Sequence, residues 1–274
     1  MRIRVTHTTR YRYDQNVSYT AQLIRLHPRS HQGQQVISWR VTGGDARPLP
    51  STYDGYGNIL HMLTRDQMHD AASIISGGEV ETSDTSGIVK GTVETLPCIY
   101  FLRQTQYTQP DAAILALAQA AAGGFDAIER LHQLMARIRE SVAYETGATA
   151  SGTTAAEALA HGSGVCQDHT HIFLAAARSI GYPARYVSGY LHGAGGALGG
   201  DAGHAWAEVH TEGLGWVGFD AANGICPNEN YVRIAIGLDF QEAAPIRGVR
   251  RGEGAEEMTV SVDISLPDAQ QQQQ

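Results

Sequence analysis

Cys166, His204 and Asp220 lie within 55 positions of one another, and together these residue types can carry out acyl chemistry. Cys166 follows the bend "HGSG" and precedes the apolar run "HIFLAAARSIG", which predicts a thiol at the start of a helix. Unpaired N–H groups there carry partial positive charge. They favour a thiolate and can receive an oxyanion on an attacked carbonyl. The competing reading is a small core residue, because free cysteines are among the most buried residue types.

His204 opens the stretch "HAWAEVH" and Asp220 closes "WVGFD", with the turn signal "GLG" between them. That pattern predicts an antiparallel hairpin. The start of its first strand and the end of its second are neighbours in space. An acid can therefore orient the imidazole without any long-range assumption. The alternative is a surface histidine and an unrelated aspartate. Period two puts His204, Trp206 and Glu208 on one face, and Ala205, Ala207 and Val209 on the other, the expected core side.

Several neighbours are weighed with these three. Gln167 and Asp168 fall in the first helical turn, where Asp168 is expected to cap the helix or complement its dipole. Trp206 either shields the His/Asp pair from water or simply packs. Tyr144 is a candidate oxyanion donor, and Arg185 either supports an acidic partner or faces solvent. His169, His171, His204 and His210 raise the question of a metal. Zinc sites favour close ligand pairs, and on a helix His171 points away from the Cys166/His169 side. No metal or other cofactor is expected.

The elements that must position these residues form two units. In the first, "RIRVTHTTRYRY" alternates Ile3, Val5, His7, Thr9, Tyr11 and Tyr13 with polar positions, the mark of a half-buried strand. Further strand patterns at "AQLIRLHP", "QQVISWRVT", "NILHMLT", "AASIIS" and "GIVKGTVET" are separated by turn signals. Residues 1–105 are thus expected to form a β-sandwich-like unit. Next comes a helix with Thr108 as its expected cap, Pro110 in its first turn, and Gly123 and Gly124 as its stop. A second helix carries the stripe Ile128, Leu131, Met135, Ile138 and Val142. A short helix is expected near "AAEALA", then the Cys166 helix and several strands. The second unit is placed at 106–267 and a disordered Gln-rich tail at 268–274. The fold class is α+β.

Bulk numbers limit the alternatives. The chain has 274 residues and a formal net charge of −8, which disfavours a general nucleic-acid or anionic-membrane binder. No apolar run reaches the roughly 18 residues a membrane span needs. The first residues lack a signal-peptide pattern. Three widely spaced cysteines, Cys98, Cys166 and Cys226, argue against a disulfide framework, so a reducing cytoplasm is the expected home.

The segments "GVCQDHTHIFLAAARSIGYPARYVSGYL", "GHAWAEVH", "GWVGFDAANG" and "NYVRIAIGLDFQEAAPIRGV" resemble the bacterial transglutaminase-like proteins of the papain-like cysteine-enzyme superfamily. The first hundred residues resemble the β-rich region that precedes this core in one bacterial branch. The resemblance implies a Cys-bearing helix packed on an antiparallel sheet. It implies Cys166 as nucleophile, His204 as general base and acid, and Asp220 as its orienting partner. Where the family commonly has Asp-Pro-Thr-Asn, this chain has "DAAN": Asp220 and Asn223 persist without the rigid proline. Where related chains often have "GRDY", it has "GLDF", with Leu238 and Phe240.

The expected function is a cysteine enzyme acting on a peptide or protein amide through a thioester. Water as acceptor makes it a peptidase or amidase, and an amine makes it a transglutaminase. The alternative is a non-catalytic peptide-binding module on the same fold.

Overall fold

The computed structural model describes residues 1–121, 123, 126–193 and 203–267. The tail expected to be disordered at 268–274, and the helix stop Gly124, lie outside these residues.

Seven strands come first: β1 (Arg2–Val17), β2 (Tyr19–His27), β3 (Gln34–Thr42), β4 (Ser51–Tyr53), β5 (Ile59–Arg65), β6 (His69–Thr82) and β7 (Ile88–Val89). The helical part follows, with α1 (Ala112–Ala120), α2 (Ala127–Ser141), β8 (Ala143–Tyr144), α3 (Ala155–His161), β9 (Ser163–Gly164) and α4 (Cys166–Ser179). Then come β10 (Ala184–Leu191), β11 (Gly203–Thr211), β12 (Gly215–Phe219), β13 (Tyr231–Gly237), α5 (Phe240–Ala243), β14 (Ile246–Arg251) and β15 (Glu256–Ser265).

In β1 the odd positions from Ile3 to Tyr13 are buried and most of the even ones exposed. Two four-stranded sheets result, in the orders β15-β1-β6-β3 and β14-β2-β5-β4. Ile3 and Val5 of β1, Ile24 and Leu26 of β2 and Ile74 of β6 share one apolar cluster, which makes the unit a sandwich. The third sheet has the order β13-β10-β11-β12-β7, and α4 packs against it. Ile172 to Ala177 of α4 are all fully buried among Leu131, Ile138, Ala207, Val209 and Phe219.

Strand pairing crosses the division that the sequence patterns place at 105 and 267. β7 pairs with β12, with Val89 opposite Trp216, and so completes the third sheet from within the first hundred residues. β14 and β15 return to pair with β2 and β1. The free edges of those strands would otherwise expose a row of unpaired backbone groups. A local hydrophobic pattern marks a strand but does not select the edge it joins.

The expected cap of α1 is also corrected. Asp111 is the N-cap, its carboxylate accepting from the Ile114 N–H. Thr108 is fully buried and its hydroxyl accepts from Arg178 Nη1 at 3.0 Å. α3 begins with Thr154, whose hydroxyl accepts from Glu157 N–H while the Glu157 carboxylate accepts from Thr154 N–H.

Among the described residues the outer edge of β13 has no strand beside it. Two amide side chains from the first unit take a strand's place. Gln34 donates to Arg233 O at 2.9 Å and accepts from Arg233 N at 2.8 Å. Asn58 donates to Ile236 O at 2.8 Å and accepts from Ile236 N at 2.8 Å. Buried backbone groups need such partners, so β13 is held between β10 and the β-rich unit.

Candidate active site

Cys166 is the first residue of α4. At this end of a helix the first N–H groups have no carbonyl one turn back, so those of Cys166 and Gln167 are available to an oxyanion. Asp168 caps the turn: its Oδ2 accepts from Val165 N–H at 2.8 Å and from the Thr149 hydroxyl at 2.6 Å. Gly164 has to be glycine, since a Cβ there would stand 2.7 Å from Asp168 Oδ2. Gln167 donates to Ser151 O at 3.2 Å and ties the helix start to the preceding Gly/Thr loop.

The hairpin forms as its sequence predicts, with β11 and β12 antiparallel and Ala207 opposite Phe219. His204 Nε2 meets Asp220 Oδ2 at 2.7 Å, with both side chains buried. The Cys166 sulfur lies within hydrogen-bonding reach of the same ring. Asp220 holds Nε2, and Cys166 acts on the same imidazole as a hydrogen-bond and charge partner. Residues from a helix start, a strand start and a strand end thus converge. The surface readings of His204 and Asp220 do not describe this geometry, since both are buried and bonded to each other.

Electrostatics follow from the contacts. Burial alone would push the His204 imidazole down. Hydrogen bonds to Asp220 and Cys166, and their negative charge, reverse this and raise it to about 10. Burial would raise the Asp220 carboxyl. Its bonds to His204, Tyr231 and Asn223 more than offset that and hold it below the usual carboxylate range. At neutral pH the ring is therefore an imidazolium beside a carboxylate.

The missing proline of "DAAN" is compensated within the turn. Asp220 Oδ1 accepts from Ala222 N–H at 3.0 Å and from Asn223 N–H at 3.1 Å, an Asx-type turn. Asn223 Nδ2 donates to Asp220 Oδ2 at 2.6 Å. Trp206 is buried, with its ring 6.2 Å from that of His204 and stacked on it, so it both packs and covers the imidazole. Gly189, opposite His204 in β10, makes room for that indole, since a Cβ there would lie 2.6 Å from it.

Tyr144 stands beside the site. Burial and the charges of Cys166 and Asp220 push its hydroxyl up to about 12, so it stays a proton donor. Tyr231 was not singled out by sequence reasoning. Its hydroxyl donates to Asp220 Oδ2 at 2.7 Å. The available signal was weak: a tyrosine opening the strand pattern that follows the Asp220 turn.

Both faces of β11 are buried, a correction to the single core side expected. α4 covers Ala205, Ala207 and Val209, while Phe101, Trp216 and Tyr231 cluster with Trp206 on the other face. That second face holds an ionic network. Arg185, fully buried, donates from Nε to Glu208 Oε2 at 2.7 Å, and Arg233 Nε to Glu208 Oε1 at 2.7 Å. Burial would raise the Glu208 carboxyl, but the two guanidinium groups bring it down to about 2. Arg185 therefore supports an acidic partner and does not face solvent.

Cys226 lies on the turn after Asp220, with its sulfur 4.0 Å from His132 Nε2, and burial raises its thiol to about 11. His169 has both ring nitrogens on backbone carbonyls, those of Val165 and Val142. His171 Nε2 accepts from Phe240 N–H. Among the described residues no three His, Cys, Asp or Glu side chains come together as metal ligands. No helix among them is long and apolar enough to cross a membrane.

Comparison with known proteins gives the chain its family. Residues 116–221 match the transglutaminase-like superfamily, and residues 3–81 the bacterial transglutaminase-like N-terminal region. An uncharacterized protein of Mycobacterium leprae is 30% identical over 276 residues, 96% of this chain and 98% of its own. One from Mycobacterium tuberculosis is 32% identical over 273 residues, 90% of this chain and 87% of its own. Among solved structures, a candidate cysteine protease from Cytophaga hutchinsonii superposes with a TM-score of 0.79 at 22% identity, covering 98% of this chain and 91% of that one. That likeness establishes the shared fold. With both regions matched and relatives similar along nearly their whole length, the chain belongs to the transglutaminase-like superfamily, in the branch that carries the bacterial N-terminal β region.

Proposed function

We propose that this protein is a cysteine enzyme that opens a peptide or protein amide through a thioester on Cys166. The observation that carries this is the single imidazole of His204, bonded at Nε2 to buried Asp220 and raised by both Asp220 and Cys166. An imidazole raised to about 10 is protonated at neutral pH. His204 receives the thiol proton, and the sulfur attacks as an anion.

Attack forms the S–C bond and moves the carbonyl electron pair onto oxygen. The N–H groups of Cys166 and Gln167 at the start of α4 face that charge, with the Tyr144 hydroxyl as a further donor. Cleavage of the C–N bond takes the proton from His204 to the departing amine. Asp220 stabilises the imidazolium and, by holding Nε2, fixes the orientation of the ring. The thioester then passes to water or to a second amine, whose proton His204 accepts as the thiolate leaves. Water gives hydrolysis and an amine gives acyl transfer.

Three unpaired thiols support a reducing compartment such as the cytoplasm. The deciding experiment incubates a peptide library with wild type and Cys166→Ala, with and without an amine acceptor, and reads masses. Cleavage, deamidation and cross-linking leave different mass changes. Identical spectra from both proteins would reduce the reading to a binding module on the same fold.

A further inference from the structure

We propose that β15 is the seat of a homodimer: two copies pair their β15 strands antiparallel, with Ser261 on the two-fold axis, and Arg10 of each copy reaches Asp263 of the other. β15 is ten residues long and pairs with β1 on one side. Among the described residues it has no strand on the other. Its register sets Met258, Val260, Val262 and Ile264 opposite Tyr11, Thr9, His7 and Val5, which are buried positions of β1. Opposed residues share a face, so these four apolar side chains belong to the inner face of the sandwich. Val262 is buried and Ile264 half-buried, yet Met258 is 57% and Val260 46% exposed. The sandwich is open on this side. A cleft of about 240 Å³ has Tyr11, Tyr13, Ile246, Gly248 and Met258 in its walls.

A second copy fits this edge in one register. With Ser261 opposite itself, Met258 meets Ile264 and Val260 meets Val262 of the other copy, and symmetry repeats both pairs. Leu266, 49% exposed just past the strand, comes opposite Glu256 at the cleft. On the outer face Thr259 meets Asp263 and Glu257 meets Ser265, so no two carboxylates oppose. A one-residue slip sets the apolar face against the polar one. A two-residue slip one way puts Glu257 opposite Asp263, where like charges repel. The same slip the other way brings Pro267 into the ladder, where it has no N–H to donate.

Charge complementarity also selects a second copy. Arg10 is exposed on the outer face of β1 and lies opposite Thr259 of β15. In the paired edge the next position across is Asp263 of the second copy, itself exposed in the free chain. Arg10, Thr259 and Asp263 thus form one row across three strands. Two strand spacings separate the ends of that row by about 9.5 Å. The short threonine leaves room for the guanidinium to pass over it to the carboxylate, and the two-fold axis makes the pair twice. The plain alternative is that Glu256, Glu257 and Asp263 guard a sheet edge against pairing. That reading predicts a monomer at every concentration.

Sedimentation of the full chain across concentration tests this. The mass should rise from monomer to dimer between about 1 and 100 µM, the range of a small interface. Arg10→Glu should raise the dimer Kd by about tenfold through the loss of two exposed ion pairs. Arg10→Glu combined with Asp263→Arg should restore it. The melting midpoint of dilute protein is the folding control. Ser261→Cys should cross-link two copies under diamide, because opposite residues lie about 4.5–5.5 Å apart, within disulfide reach. Thr259→Cys should not link to itself but should link to Asp263→Cys when the two are mixed. Peptide mapping separates these links from any made by Cys98, Cys166 or Cys226. A monomer at all concentrations overturns the proposal. So does a dimer indifferent to the charge exchange, or one whose cross-links form in another register.

Discussion

Tyr231 and His204 share one oxygen: each reaches Asp220 Oδ2 at 2.7 Å, Tyr231 from its hydroxyl and His204 from Nε2. Tyr231 opens β13, the strand clamped by Gln34 and Asn58. The β-rich unit thus holds the strand from which Tyr231 reaches Asp220. Tyr231→Phe removes one donor and little volume. A carboxylate that has lost a donor holds the neighbouring imidazolium proton more strongly, so the alkaline limb of kcat/KM should move to higher pH. Stability should fall by about 1.5–3 kcal/mol, the usual worth of a buried hydrogen bond to a charged group. An unchanged pH profile with the stability loss intact would make Tyr231 a packing residue only.

The three thiols should differ sharply in reactivity. Burial raises the Cys98 thiol, and Glu94 adds to this while Arg185 opposes it. Burial raises Cys226 to about 11. Cys166 alone begins a helix beside an imidazolium. Limited iodoacetamide near neutral pH, read by site-resolved mass spectrometry, should label Cys166 first by at least an order of magnitude. Equal labelling of all three in folded protein would sink the activated-thiolate mechanism.

Two windows of pH follow from the buried pairs. His204 is raised from 6.5 to about 10 on folding. Its contribution to stability is therefore complete below 6.5 and is lost as pH rises through about 10. Loss of the imidazolium also removes the acid that protonates the leaving amine, so activity should decline over the same upper range. Glu208 is lowered from 4.5 to about 2. Its contribution is complete above 4.5 and disappears as pH falls through about 2. Denaturation midpoints measured across pH should show both limbs, and His204→Gln should lack the alkaline one. An alkaline limb that persists in His204→Gln would assign it to another group.

Much of the site was legible because its geometry is local. One hairpin brings His204 to Asp220, and one bend places Cys166 at a helix start. Period two in β1 marks the buried face correctly for the same reason. What the residues could not show depends on which edge a strand joins. β14 and β15 return to the first unit, and β7 leaves it for the third sheet. Tyr231 finds Asp220 only because β13 sits in the sheet where it does. The two-sided burial of β11 likewise depends on a distant segment, with Phe101 covering the face that carries Trp206.

The clamps on β13 provide the last test. Asn58 is buried and satisfies both the N–H and the C=O of Ile236. Asn58→Ala leaves two buried backbone groups without partners, at about 1–3 kcal/mol each, since an orphaned group costs its full desolvation. Asn58→Asp keeps the acceptor for Ile236 N–H but turns an anion toward Ile236 O, so it should not rescue. Gln34→Ala orphans Arg233, two residues from Tyr231, and should lower kcat as well as stability. In Asn58→Ala, where the lost bonds lie five residues from Tyr231, stability should fall more than kcat. Denaturant midpoints measured beside kcat separate the two effects. Equal loss of kcat in both variants, after correction for the unfolded fraction, would show that β13 transmits no positional information to Asp220.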